Sequence, residues 1–186
     1  TPTAMKTSLR LFCLLLLTGL AFSAETPPPL ELIAKWASPY VIAVAEEGDA
    51  DCLKEAAGLL ASTIAETTGV TLPVVKESAL PAGVPAIHLG KSKAARRAGM
   101  PLDDLQGWAY RMRVSGRDVL LVGNDRNKTL PDAALPDKIV QASTSGTYKA
   151  VTAFLERFAG VRFVLPGEKG MQVRKLAVLA LGVLAL

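Results

Sequence analysis

The chain has 186 residues, half of them hydrophobic, and a formal net charge of +4. Four of its 21 basic residues (Lys6, Arg10, Arg174 and Lys175) lie in apolar terminal segments, and the other 17 balance 17 acidic ones. That balance leaves no positive field of the kind nucleic acid requires, and a single histidine, His88, excludes a Cys/His zinc cluster.

Met5, Lys6 and Arg10 precede a leucine-rich run that ends at Phe22, and Ala21-Phe-Ser23 supplies small residues for signal peptidase. A basic start, a short apolar run and such a site predict a secretory leader over residues 1–24, hence an exported protein. Residues 25–29, Glu-Thr-Pro-Pro-Pro, read as an extended linker. Beyond the leader only Cys52 remains, so no internal disulfide is available.

Tyr40 to Ala45 is a near-continuous apolar run, as in a strand covered on both faces. Asp49 and Asp51 can cap a helix whose buried stripe is Leu53, Ala57, Leu60 and Ile64, ended by Gly69. Leu72 to Val75 predicts a short strand that Pro73 confines to the neighbourhood of a sheet edge. Ala86 to Gly90 predicts another strand, followed by a short helix over 91–98 closed by Gly99. Tyr110, Met112 and Val114 alternate with arginines, and Ser115-Gly-Arg-Asp118 turns that strand into Val119 to Val122 as a hairpin. Asn124 to Ser145 is a long connection of mixed charge, read as a surface insertion.

Tyr148, Val151, Phe154, Leu155 and Phe158 then repeat at helical spacing. Gly160 stands where the helix must close, Val161, Phe163 and Leu165 alternate as in a strand, and Pro166-Gly167 stops it. The order is β-α-β-β-α-ββ-α-β, which defines an α/β fold with helices packed on a mixed sheet in a single domain over residues 30–170. Residues 171–186 read as an apolar tail too short to span a bilayer, dispensable for folding and possible as the cut end of a longer segment. A buried C-terminal strand is the alternative. Contact with a membrane is expected only through the two terminal apolar segments.

The segment from Gly146 to Gly167 resembles the end of the N-terminal domain of α-glucuronidases, a small α/β domain similar to the one preceding the barrel of β-N-acetylhexosaminidases. The matching positions are Gly146, Thr147, Tyr148, Phe154, Leu155, Glu156, Gly160, Val161, Arg162, Pro166 and Gly167, with Phe163 where Trp is more usual. The resemblance implies an accessory domain beside a carbohydrate-active catalytic barrel. In that family the catalytic carboxylates belong to the barrel, so no catalytic residue is carried over, and Glu156 and Arg162 are expected to be structural.

The residues themselves offer little chemistry. His88 has no Gly-x-Ser-x-Gly partner and reads as a hydrogen-bonded structural histidine. Gly90-Lys-Ser92 lacks the earlier glycine of a phosphate loop, and the first strand leads into Glu46, Glu47, Asp49 and Asp51, where a pyrophosphate would be repelled. Nucleotide binding is therefore not expected, nor is any cofactor or metal. Asp103, Asp104, Glu156 and Glu168 are not evidently paired for glycoside hydrolysis. Four aromatics, Trp36, Tyr40, Trp108 and Tyr110, could be exposed, and Trp36 and Trp108 are the candidates for glycan or domain-interface contact. Two roles follow: a non-catalytic accessory domain partnered by a catalytic barrel, or a free-standing module partnered by carbohydrate. An inactive gene remnant is the third possibility.

Overall fold

A computed structural model describes residues 28–126, 144–164 and 170–182. The predicted leader, most of the linker and of the long connection, Leu165 to Gly167, and Glu168 lie outside the described residues. The chain runs β1 (Leu30–Ile33), β2 (Val41–Val44), α1 (Ala50–Thr68), β3 (Val74–Lys76), a 3-10 turn (Glu77–Ala79), β4 (Ala86–Leu89), α2 (Lys93–Arg97), β5 (Tyr110–Ser115) and β6 (Asp118–Gly123). After these come β7 (Asp125–Arg126), β8 (Thr144–Ser145), α3 (Gly146–Phe158), β9 (Arg162–Phe163), β10 (Met171–Gln172) and β11 (Leu179–Leu181).

The main sheet has five strands in the order β3-β2-β4-β6-β5. The pairs β2–β3, β2–β4 and β4–β6 are parallel, and β5 closes the edge antiparallel to β6. This is the expected mixed sheet, with β3 at the predicted edge; that strand begins two residues late, after Pro73. Alternation along the strands divides the core in two. Ile42, Ile87, Leu89, Val119 and Leu121 face α1 and α3, where Leu60, Ile64, Val151, Phe154 and Leu155 meet them. Leu120 and Val122 face a smaller cluster formed by Ala94, Ala95, Met100, Leu102 and Leu105.

The helix ends follow local chemistry. Asp49 caps α1, its Oδ1 accepting from the backbone N–H of Asp51 at 3.1 Å and Cys52 at 3.0 Å. Gly69 closes it in the left-handed region, at φ 76°. The start of α2 is held from afar: the Glu77 carboxylate accepts from the N–H groups of Lys93 at 2.9 Å and Ala94 at 3.1 Å.

The boundary predicted at Gly170 needs correction. Residues 171–186 were expected to form a tail outside the domain, yet β10 pairs with β9 and β11 pairs antiparallel with β1. Leu179 and Leu181 are fully buried in the larger core. A uniformly apolar run hides its own alternation, because Ala180 between the two leucines contributes no polar mark. Strand β1, which is absent from the expected element order, is the partner that buries them.

Between β1 and β2 the chain reverses in a two-residue hairpin turn. Ala34 and Ala37 exchange N–H···O bonds of 3.1 and 3.0 Å across Lys35 and Trp36. Lys35 (φ 51°) and Trp36 (φ 61°) are the only non-glycine residues among those described with positive φ. Two positive φ angles define the type I′ form, which favours Asn-Gly because side chains with a bulky Cβ resist this region. Replacing Lys35-Trp36 by Asn-Gly is therefore expected to raise stability by about 1–3 kcal/mol. Urea melts of the two proteins check it; an unchanged or lower midpoint would show that the turn carries no strain.

Candidate functional site

The crossover through α1 carries the chain outward from β2 to β3, and it then returns to β4 on the other side of β2. The carboxyl ends of β2 and β4 thus bracket the crevice where open α/β sheets hold ligands. Next to Gly90 that crevice is filled by packing, and the open space at this end is a cleft of about 680 Å3 on the β3 side, lined by Val44, Ala45, Leu53, Val74 and Lys76. A Cβ built on Gly90 (φ 82°) would lie 2.7 Å from a methyl of Leu53 and 3.3 Å from Ala45. The N–H groups that would bind an anion at the start of α1 already point to the Asp49 carboxylate.

The start of the resemblance motif lies at the same end of the sheet. Gly123, the last residue of β6, and Gly146, the first of α3, touch backbone to backbone. A Cβ on Gly123 would fall 1.9 Å from the Gly146 carbonyl carbon and 2.0 Å from the Thr147 nitrogen. Thr147 locks this contact: its Oγ1 accepts from Gly123 N–H at 3.0 Å and donates to Asp125 Oδ2 at 2.6 Å. Asp125 Oδ1 in turn accepts from the Thr147 N–H at 2.8 Å. Burial pushes the Asp125 carboxyl above its ordinary range, and the two bonds from Thr147 pull it back. Further along the motif, Phe154, Leu155 and Val161 are buried, Gly160 closes α3 at φ 63°, and Glu156 and Arg162 are exposed. Cys52 is buried nearby, its Sγ 3.1 Å from Ser145 Oγ, and burial holds its thiol above the usual value.

His88 lies on the other face and towards the opposite end of the sheet. It borders a cleft of about 700 Å3 whose wall is the Leu80–Pro85 loop and whose rim carries Lys93, Arg97 and Arg117. The ring is almost fully buried, with Nδ1 3.9 Å from Glu77 Oε1 and Nε2 3.7 Å from Asp118 Oδ2. Both distances exceed hydrogen-bonding range, and neither ring nitrogen has a hydrogen-bond partner. Burial drives its pKa below the ordinary histidine value, against the pull of Asp118 and Glu77 and with the help of Arg97. The two carboxylates are already engaged, Glu77 at α2 and Asp118 through the Ala86 N–H at 3.0 Å. Such a ring is a packed, neutral core group with no nucleophile to activate.

The sign of its pH dependence follows. An unfolded histidine takes a proton near pH 6.5, whereas the folded ring resists it. Stability is therefore full above about pH 6.5 and declines as pH falls from there towards the lower folded value. Asp125, raised by burial, acts oppositely and only in the carboxylate range. His88→Gln should flatten the slope of stability between about pH 5 and 7; urea midpoints at several pH values read it, and an unchanged slope would contradict it.

The other sequence candidates separate. Trp36 and Trp108 are both exposed, at 69% and 52%, so packing in the core is ruled out for either. They lie at opposite ends of the sheet. Trp36 adjoins Thr68 and Gly69 at the end of α1, whereas Trp108 sits under the Lys149 ammonium, 5.6 Å away, in the first turn of α3. Tyr40, a candidate for exposure, is instead 2% exposed and belongs to the core, and burial raises its hydroxyl pKa. Asp104 is held by Arg111, which donates to both its oxygens at 2.7 Å, lowering its pKa, and also reaches the Pro101 carbonyl. Asp103 and Glu156 are exposed.

Among the described residues no group of three or more His, Cys, Asp or Glu side chains is placed to hold a metal ion, and no helix is long and apolar enough to cross a membrane. No family model matches the chain, and no curated protein matches it.

Proposed function

We propose that this chain is a non-catalytic accessory domain of an exported carbohydrate-active protein, of the type that precedes the barrel in α-glucuronidases. The observation that carries the reading is the Gly123–Gly146 contact with its Thr147–Asp125 lock. The residues through which the chain resembles that family are spent on joining a helix to a strand end. The motif's one carboxylate, Glu156, borders a cleft of about 650 Å3 together with Arg162 and Arg174, and no second carboxylate is among the described residues that line it. In the resembled enzymes the reacting carboxylates come from the barrel, and the present domain would pack beside it.

Reading the gene in frame beyond the codon for Leu186 tests the partnership. A β/α barrel is the expected continuation, and an unrelated domain there would contradict the accessory role. The exposure of Trp36 and Trp108 favours a second reading, a module that contacts glycan itself. Their placement at opposite ends means that each would act alone and not as two stations of one stacking platform.

A further inference from the structure

We propose that Trp36 is a stacking site for one pyranose ring of a neutral glycan, an inference that rests on the carbohydrate reading above and names where the sugar is held. Three independent observations converge on this residue. Its indole is 69% exposed, the highest value among the exposed large hydrophobic residues described. It occupies a turn position that favours glycine, directly after Lys35, which occupies another. It also borders a cleft of about 260 Å3 bounded by Thr68, Gly69, Lys175 and Leu176.

A tight turn of this kind needs no aromatic residue for its own sake. The core gains nothing from an indole that points to solvent, and the backbone is strained to carry it. Residues held in such conformations cluster at ligand-contact sites, because the surrounding structure fixes them there. The hairpin is fixed on both sides: Ser38 Oγ donates to the Leu32 carbonyl at 2.7 Å and accepts from the Tyr40 N–H at 3.0 Å. The indole is thus presented on a short, bonded loop and not on a mobile one.

The surroundings favour a sugar over a protein partner. Lys175 lines the cleft beside the indole and Lys35 precedes Trp36 in the turn, both exposed, and lysine is depleted from the centre of protein interfaces. The Lys175 ammonium donates to the Glu66 carbonyl and has two further N–H donors suited to the hydroxyl or ring oxygen of a sugar whose C–H face lies on the indole. The cleft is small and mainly apolar, with the end of α1 as its floor. No second described aromatic lines it, so the site takes a single ring.

The chain has only two tryptophans, which makes the test direct. In Trp108→Phe, Trp36 is the sole indole fluorophore and its emission reports the site. Titration with xylohexaose or cellohexaose should give a saturable blue shift with a Kd of about 1 mM or tighter. Calorimetry on Trp36→Gly should show binding weakened at least about tenfold, in a protein no less stable than its parent, so that unfolding does not explain the loss. A shift produced by oligogalacturonate and by neither neutral sugar would overturn the neutral-glycan assignment. No shift with any of the three would overturn the site, as would self-association of the chain that Trp36→Gly abolishes. The accessory role is judged separately: it stands if a barrel follows in frame even when Trp36 binds no sugar.

Discussion

Gly123→Ala is expected to destabilise the fold by about 4 kcal/mol or more, an exceptional cost for adding one methyl group. The φ angle of Gly123 lies outside the left-handed region, so alanine meets no torsional objection there. The objection is contact: the new Cβ would sit 1.9 Å from a backbone carbon and 2.0 Å from a backbone nitrogen. Overpacking against side chains costs about 1–3 kcal/mol because rotamers can yield. Here α3 would have to move off the sheet, taking with it the Thr147 bonds to Gly123 and Asp125. Gly58→Ala is the control, since nothing lies within 4 Å of its Cβ position inside α1 and helix propensity alone should stabilise it by about 0.5–1 kcal/mol. Urea melts of both variants check the pair, and a Gly123→Ala midpoint near that of the parent would show that the two glycines do not touch.

Truncation after Gln172 is expected to cost about 5 kcal/mol or more and to leave little folded protein. It removes Leu179 and Leu181, each fully buried, at about 1.5–3 kcal/mol apiece. It also uncovers Leu32 and Ile33, which are 1% exposed in the intact fold, and leaves β1 without the strand it pairs with. The Thr67 carbonyl loses the Leu176 N–H that meets it at 2.9 Å. Circular dichroism melts of the truncated and full chains read the effect. A truncated chain that melts with the parent would restore the view of this segment as a dispensable tail.

What the sequence disclosed and what it concealed divide along the range of the interactions. The cap at Asp49, the stops at Gly69, Gly99 and Gly160, the α3 stripe and the β5–β6 hairpin are local, and each left a mark within a few residues. Strand β1 left none, since it is four residues long and ends at Lys35-Trp36 where a turn would ordinarily announce itself with Asn-Gly. The partner of β1 is more than a hundred residues away, in a run whose apolar uniformity conceals its period. The Gly123–Gly146 contact spans the long connection, and Glu77 caps a helix that begins sixteen residues later, so no periodicity could show either. The candidate site follows the same rule. That Trp36 is a candidate was legible from its residue type, but its strained presentation required the backbone.

Under the proposed function, the chain builds a scaffold and performs no glycosidic chemistry of its own. The most direct measurement is release of the aryl group from aryl glucuronosides and aryl N-acetylhexosaminides by the purified chain at neutral pH. The buried, neutral His88, the Arg111-bound Asp104 and the exposed Glu156, which shares its cleft with no second described carboxylate, predict a rate indistinguishable from that of buffer. Turnover that His88→Gln or Asp104→Asn abolishes, with the fold intact, would contradict it.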